Sequence, residues 1–401
     1  MNKALVFFIG CLLLIAIEIL RVYFIMPFPG SQQSDTIDIA YFIHNNIEWM
    51  RLLLLAIIGL PFYQIITKSK WWLKVLAIIP VLFFGLVFYL FNYKFLADKM
   101  FYKPEHKIFA DYGHSKTPLD ALIIGVEING EAKSFPIELI GYHHQVEETI
   151  GGERVLITYC TVCRSGRVYS PVVNGKPAEF RLVGMDHFNA MFEDATTKSW
   201  WRQVSGVAIE GKLKGDTLKE IPSQQMTLVS WLNIHPNSLI MQPDPKFLKR
   251  YEGLKGFDKG TIKGSLEARD TLSWKNKSWI VGTVNNGLER AYDWNDLQKL
   301  KVINDTLNDD AVVLILQSDR VSFGMFYAKV DSIKESLTFF ITNLNQHDFI
   351  ISDKQTNSVW NDYGVCTVGA LKGNRLQHLQ SYQEFWHSWK IFHPNTTSYK
   401  Q

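Results

Sequence analysis

Two thiols three positions apart, in Tyr159-Cys160-Thr161-Val162-Cys163-Arg164, are the residues best suited to chemistry in this sequence. The β-branched run from Arg154 to Tyr159 predicts a strand ahead of them, and Arg167-Val168-Tyr169 predicts another behind. A tight turn between two strands would bring both sulfurs to one point. Three chemistries are open to such a pair. In a metal knuckle, two thiolates supply half of a tetrahedral site, and zinc or copper is the ion expected. The remaining donors would be imidazoles: His143-His144 lies one strand earlier and His187 about a strand later. If the histidine pair is extended its two rings point to opposite sides, so at most one of them can face the cysteines. A redox dithiol would exchange disulfides, although the usual device for activating it, a helix N-terminus under the first cysteine, is replaced here by a strand. An inert staple in an oxidising compartment is the third reading.

The elements that must position these residues come in two copies. A stretch beginning near Leu122 recurs near Trp279, with an offset of about 158 residues. Ile124 to Gly130 answers Val281 to Gly287, and Val155-Leu156-Ile157 answers Val312-Val313-Leu314. Thr197 to Trp201 answers Thr356 to Trp360, and Gly211-Lys-Leu-Lys-Gly215 answers Gly369-Ala-Leu-Lys-Gly373. Ser230-Trp231 with His235-Pro236-Asn237 answers Ser388-Trp389 with His393-Pro394-Asn395. The second copy has Gln317 and Arg320 where the first has its cysteines, which makes the first the working copy and the second a structural partner. His235 and His393 recur and read as turn or capping residues; Trp201 and Trp360 read as core aromatics. Asn129-Gly130, Gly151-Gly152 and Asn174-Gly175 mark turns between short strands, while Leu228–Ile234 and Tyr382–Phe392 carry helical spacing.

Ahead of the copies lies a different material. A bilayer core about 30 Å thick needs about 20 helical residues, and the stretches Ala4 to Met26, Met50 to Ile66 and Trp71 to Phe91 meet that need. Glu18 and Arg21, three apart on one helical face, would offset each other's cost in lipid. No small-x-small site ends the first stretch, so it reads as an anchor that is not cleaved. The loop from Pro27 to Trp49 has no Lys or Arg, whereas Lys68, Lys70 and Lys74 cluster in the next loop. The positive-inside rule then puts the large C-terminal part outside, with Lys94, Lys99, Lys103 and Lys107 as the opposing signal.

The expected fold class is α+β, with N-terminal transmembrane helices followed by a β-rich, internally duplicated soluble domain. The anticipated divisions are an anchor over 1–97, a linker over 98–121, a first repeat over 122–245, a linker over 246–278 and a degenerate second repeat over 279–401. A net charge of +3 without a basic run argues against nucleic acid. There is no Walker-type loop, no Gly-x-Ser-x-Gly elbow and no His-Glu-x-x-His.

Residues 122–245 resemble the family called domain of unknown function 3179. Thr158, Tyr159, Cys160 and Cys163 match its Thr-Tyr-Cys-Pro-Leu-Cys-Gly hallmark; His143 matches the histidine of its Trp-His-Glu segment; Trp201, Gln203, Gly206, Ala208 and Gly211 match a third motif. Thr161, Arg164 and His144 stand where that pattern has Pro, Gly and Glu. The resemblance implies a bacterial or archaeal source and an extracytoplasmic domain, and it supplies no activity. The expected protein is therefore an inner-membrane protein whose outer domain holds a metal through Cys160, Cys163 and His143. Its alternatives are a thiol-disulfide oxidoreductase and a structural or partner-binding module, and its expected partners are the bilayer and proteins not yet identified.

Overall fold

The computed structural model describes residues 2–264, 266–344 and 349–400. Positions 1, 265, 345–348 and 401, inside the anticipated anchor, second linker and second repeat, lie outside the described residues. The chain divides into two compact units, Met1–Tyr102 with Val172–Thr217 and Lys103–Pro171 with Leu218–Gln401.

The first unit holds three helices long and apolar enough to cross a membrane: α1 (Lys3–Tyr23), α2 (Ile37–Lys68) and α3 (Trp71–Tyr93). Pro61 and Pro80 sit inside α2 and α3. Helix α2 starts well before the expected apolar stretch, so most of the anticipated Pro27–Trp49 loop is helical. Thr36 is its N-cap residue, Asp38 lies in the first turn where a helix favours negative charge, and Ala40, Ile43 and Ile47 form a buried face at helical spacing. Glu18, fully buried, finds a better partner than Arg21, which stands 3.9 Å away. Arg51 of α2 grips both its oxygens, Nε donating to Oε1 at 2.5 Å and Nη2 to Oε2 at 2.8 Å. Asn92 of α3 donates to Glu18 Oε2 at 3.0 Å and accepts from Arg21 and Arg51. The same unit contains a four-stranded antiparallel sheet built from Phe180–Asp186, Asn189–Asp194, Trp200–Arg202 and Ala208–Glu210.

In the second unit the duplication becomes topology. Within a five-stranded sheet edged by Ile108–Ala110, the four strands Gln224–Thr227, Leu122–Ile128, Glu131–Pro136 and Leu239–Gln242 have their counterpart in the sheet Ser381–Phe385, Trp279–Asn285, Leu288–Asp293, Thr397–Ser398. In both, the last pairing is parallel and the others antiparallel. The three-stranded sheet Gln145–Ile150, Glu153–Cys160, Ser165–Tyr169 likewise answers Val302–Leu307, Asp310–Leu316, Phe323–Tyr327. Asn129-Gly130 and Asn286-Gly287 all take positive φ, the primed turn that matches strand twist.

Local detail repeats as closely. His235 and His393 are the C-cap residues of the helices Leu228–Ile234 and Trp386–Phe392, each stacked on the tryptophan one turn earlier, with ring centroids 4.1 and 3.8 Å apart. The second helix begins later than its apolar spacing suggested, because Ser381–Phe385 is taken up as a strand against Trp279–Thr283. Trp201 and Trp360 are buried, and each indole donates to an aspartate seven residues earlier, Asp194 and Asp353, at 2.9 Å.

Buried polar bonds join the copies within this unit. Arg167 pairs with Glu384 and lies over the Tyr382 ring at 3.3 Å. Gln225 donates to Gln383 at 3.1 Å, and Thr227 N–H to Ser322 Oγ at 2.8 Å.

A candidate thiol site completed by the second copy

The strand Glu153–Cys160 forms because Val155, Ile157 and Tyr159 give it a β-branched and aromatic core face, and all three are fully buried. Its end is a four-residue turn, Thr161 to Arg164, closed by the Arg164 N–H donating to Thr161 O at 3.2 Å. Arg164 adopts φ 54°, the left-handed conformation that glycine takes without strain. Its side chain offsets that cost: the buried guanidinium donates to Gln383 Oε1 at 2.9 Å, Phe257 O at 3.0 Å and Asp258 O at 2.7 Å. Hydrogen bonds from a charged donor contribute about 1.5–3 kcal/mol each, more than the roughly 1–2 kcal/mol of strain.

Both sulfurs are free thiols, fully buried. The Cys163 thiol interacts with Cys160 and with the imidazole of His387, which belongs to the second copy. Burial, with the neighbouring Cys160, pushes this thiol well above its ordinary pKa, and His387 pulls the other way. His387 Nδ1 lies 2.9 Å from Asn276 O. A carbonyl partner requires the proton on Nδ1, which leaves Nε2 as an acceptor. Lys277 arrives from the same side, Nζ donating to Val162 O at 2.7 Å; burial lowers its pKa while the two sulfurs and Glu267 raise it. The Cys163 carbonyl in turn accepts from Phe385 N–H at 3.0 Å.

His387 and Lys277 escaped the sequence reading because the second copy was taken as structural only. A usable signal was present. By the repeat alignment they correspond to Val229 and Asp120, so each is as copy-specific as the cysteines.

The expected donor His143 is placed differently. It is the last residue of a helix, Ile137–His143, so the histidine pair is not extended. Ile137 and Ile140 give that helix its buried face. The His143 ring is enclosed by Tyr142, Phe247 and Tyr251, with Nε2 2.7 Å from the Tyr251 hydroxyl. His144 caps the helix at φ 58°, its Nδ1 2.8 Å from Tyr159 O; burial brings its pKa down to about 4, so it is neutral. His187, in the other compact unit, lies 2.6 Å from Asp186. Among the described residues, no three His, Cys, Asp or Glu form a group that could hold a metal ion, and Cys160, Cys163 and His143 are therefore not brought together as one.

Fold and site thus define a class: a duplicated β-rich domain that follows three membrane-length apolar helices and carries a buried thiol pair in one copy. The chain belongs to the DUF3179 family, described as a protein of unknown function, whose pattern matches residues 108–396. That match runs through both copies, so the unit of the family is the duplicated pair. No curated protein and no solved structure was found to match the chain.

Proposed function

We propose that this protein is a membrane-anchored thiol-disulfide oxidoreductase whose working pair is Cys160 and Cys163. The observation that carries the reading is the Cys163 thiol, acted on at once by a second thiol and by an imidazole whose Nδ1 is engaged by a carbonyl. Nucleophile, resolving thiol and base are then adjacent. In the reaction, His387 Nε2 takes the Cys163 proton as that sulfur attacks one sulfur of a substrate disulfide. The S–S bond breaks, and the leaving thiolate takes the proton back from the imidazolium. Cys160 then attacks Cys163 in the mixed disulfide, its proton passing to the second departing sulfur. One substrate disulfide is reduced to two thiols, and the protein's two thiols are oxidised to one disulfide. Lys277 would stabilise the transient thiolate by its charge.

Burial holds the resting Cys163 thiol protonated, so the exchange rate is set by how often a substrate disulfide reaches the pair. The reading takes the thiol-bearing part as extracytoplasmic, supported by the absence of Lys and Arg between α1 and α2 and the cluster Lys68, Lys70 and Lys74 around the junction of α2 and α3.

The test is a redox titration of the full chain in detergent, with thiols trapped and counted by mass. A Cys160–Cys163 disulfide forming at a potential above about −300 mV is expected. A bond resistant to reduction well below that value, or no bond at all, would sink the proposal. Stoichiometric zinc or copper in the purified chain, lost on Cys160→Ser, would replace it with a metal-holding role.

A further inference from the structure

A cavity of about 460 Å³ in the second compact unit is walled by Leu122, Val229, Trp279 and Trp294, with Arg269 and Gln298 among its polar lining. Its volume falls in the range of small-molecule sites, roughly 300–1,000 Å³. The Trp279 indole is flanked by two guanidiniums, Arg164 at 3.7 Å and Arg269 at 3.8 Å from the ring centroid. Attraction to the ring faces draws both cations in; Asp258 acts on Arg164 and Asp293 on Arg269 through their charge, but neither carboxylate forms an ion pair with its guanidinium among the described residues. Among the described residues Arg164 donates only to an amide oxygen and two backbone carbonyls. Arg269 makes no hydrogen bond or ion pair among the described residues, and its Nε is buried without a partner.

The acidic residues of the lining are already engaged. Asp120 is paired with Lys259. Asp319 accepts from Thr227 and Ser230 and from both groups of Ser322. Asp258 accepts from the N–H groups of Leu122 and Lys259. The cavity therefore combines apolar walls of indole and aliphatic carbon with a cation, Arg269, that has no hydrogen-bond acceptor among the described residues.

We infer that this cavity is a binding site for a small organic anion, its carboxylate on Arg269 and its aromatic or aliphatic body against the wall formed by Trp294, Leu122 and Val229. A guanidinium is suited to take a carboxylate through two parallel N–H bonds, and a ring against indole adds about 0.5–1.5 kcal/mol. The inference is independent of the redox proposal, because it uses neither sulfur nor His387.

Calorimetric titration of the full chain in lipid nanodiscs, with empty discs as the blank, tests it with three probes. Phenylacetate carries both features, phenylacetamide keeps the shape without the charge, and inorganic sulfate has the charge alone. Saturable phenylacetate binding is expected, with the other two weaker by about tenfold or more, the size of one charge-assisted hydrogen bond. Arg269→Gln should weaken phenylacetate by a similar factor at an unchanged unfolding midpoint, and Arg269→Lys should keep part of the affinity. Equal binding of acid and amide, equal binding of sulfate, or no phenylacetate binding up to about 10 mM would overturn the inference. So would an Arg269→Gln chain, folded as the parent, that binds phenylacetate unchanged.

Discussion

The His387 imidazole of one copy acts on the Cys163 thiol of the other, favouring its ionised form, so the asymmetry between the copies is a shared one. Because the folded chain holds the Cys163 proton to higher pH than an unfolded chain does, stability is intact below the ordinary thiol pKa and declines as pH rises past it. Unfolding midpoints recorded from about pH 8 to 10 should fall, and Cys163→Ala should flatten that fall. His387→Ala, which removes the group that lowers the thiol pKa, should carry the fall on to higher pH. Parallel curves for the parent and Cys163→Ala would refute the assignment.

His144 supplies the acid side of the same profile. Its folded pKa of about 4 lies below the ordinary histidine value of 6.5, so its contribution is complete above pH 6.5 and is lost as pH falls toward 4. The shift corresponds to about 3 kcal/mol. His378, brought to about 4 by burial, adds a second loss over the same window. Asparagine tolerates positive φ and can still donate to Tyr159 O, so His144→Asn should shrink the acid-side drop in midpoint by about half.

Arg167 and Glu384 form a buried ion pair between copies, and breaking such a pair costs more than never having it. Glu384→Ala should destabilise by roughly 3–5 kcal/mol, read as a large drop in urea midpoint. Joint replacement, Arg167→Met with Glu384→Leu, should recover most of the loss. A double variant no better than the single would mean that the pair contributes far more than its mutual neutralisation.

Gly125 and Gly282 make the duplication testable position by position. A Cβ on either would lie within 2.5 and 2.4 Å of the Trp231 and Trp389 rings. Overpacking of this kind typically costs about 1–3 kcal/mol. Gly125→Ala and Gly282→Ala should therefore lower the unfolding midpoint by similar amounts, while alanine at Gly59, which has no neighbour within 4 Å, should not.

The duplication was legible in the sequence because it rests on residues that cannot be exchanged freely: a glycine under a tryptophan, a histidine stacked at a helix end, a tryptophan bonded to aspartate. Strand boundaries around Cys160 were legible for the same reason, since β-branched residues and turn glycines act locally. The site was only half legible. Cys160 and Cys163 announce themselves by spacing, but His387 and Lys277 reach them from more than a hundred positions away, and no local pattern records that meeting. His143 looked like a ligand by proximity in sequence, whereas its helix turns it toward Tyr251. In the apolar region, polar residues at the edge of α2 read as loop because the helix outruns its hydrophobic stretch.

The carboxylate in the first apolar helix has a bearing on biogenesis. Glu18 is met by Arg51 and Asn92, which leave the ribosome some thirty and some seventy residues after it. A first span released alone into lipid would carry a charge with no counterpart within it except Arg21, itself turned toward Asn92. Insertion machinery must then keep this span sheltered until its successors emerge, and a truncation that removes α3 should be cleared by quality-control proteases even though every remaining segment is greasy enough to insert.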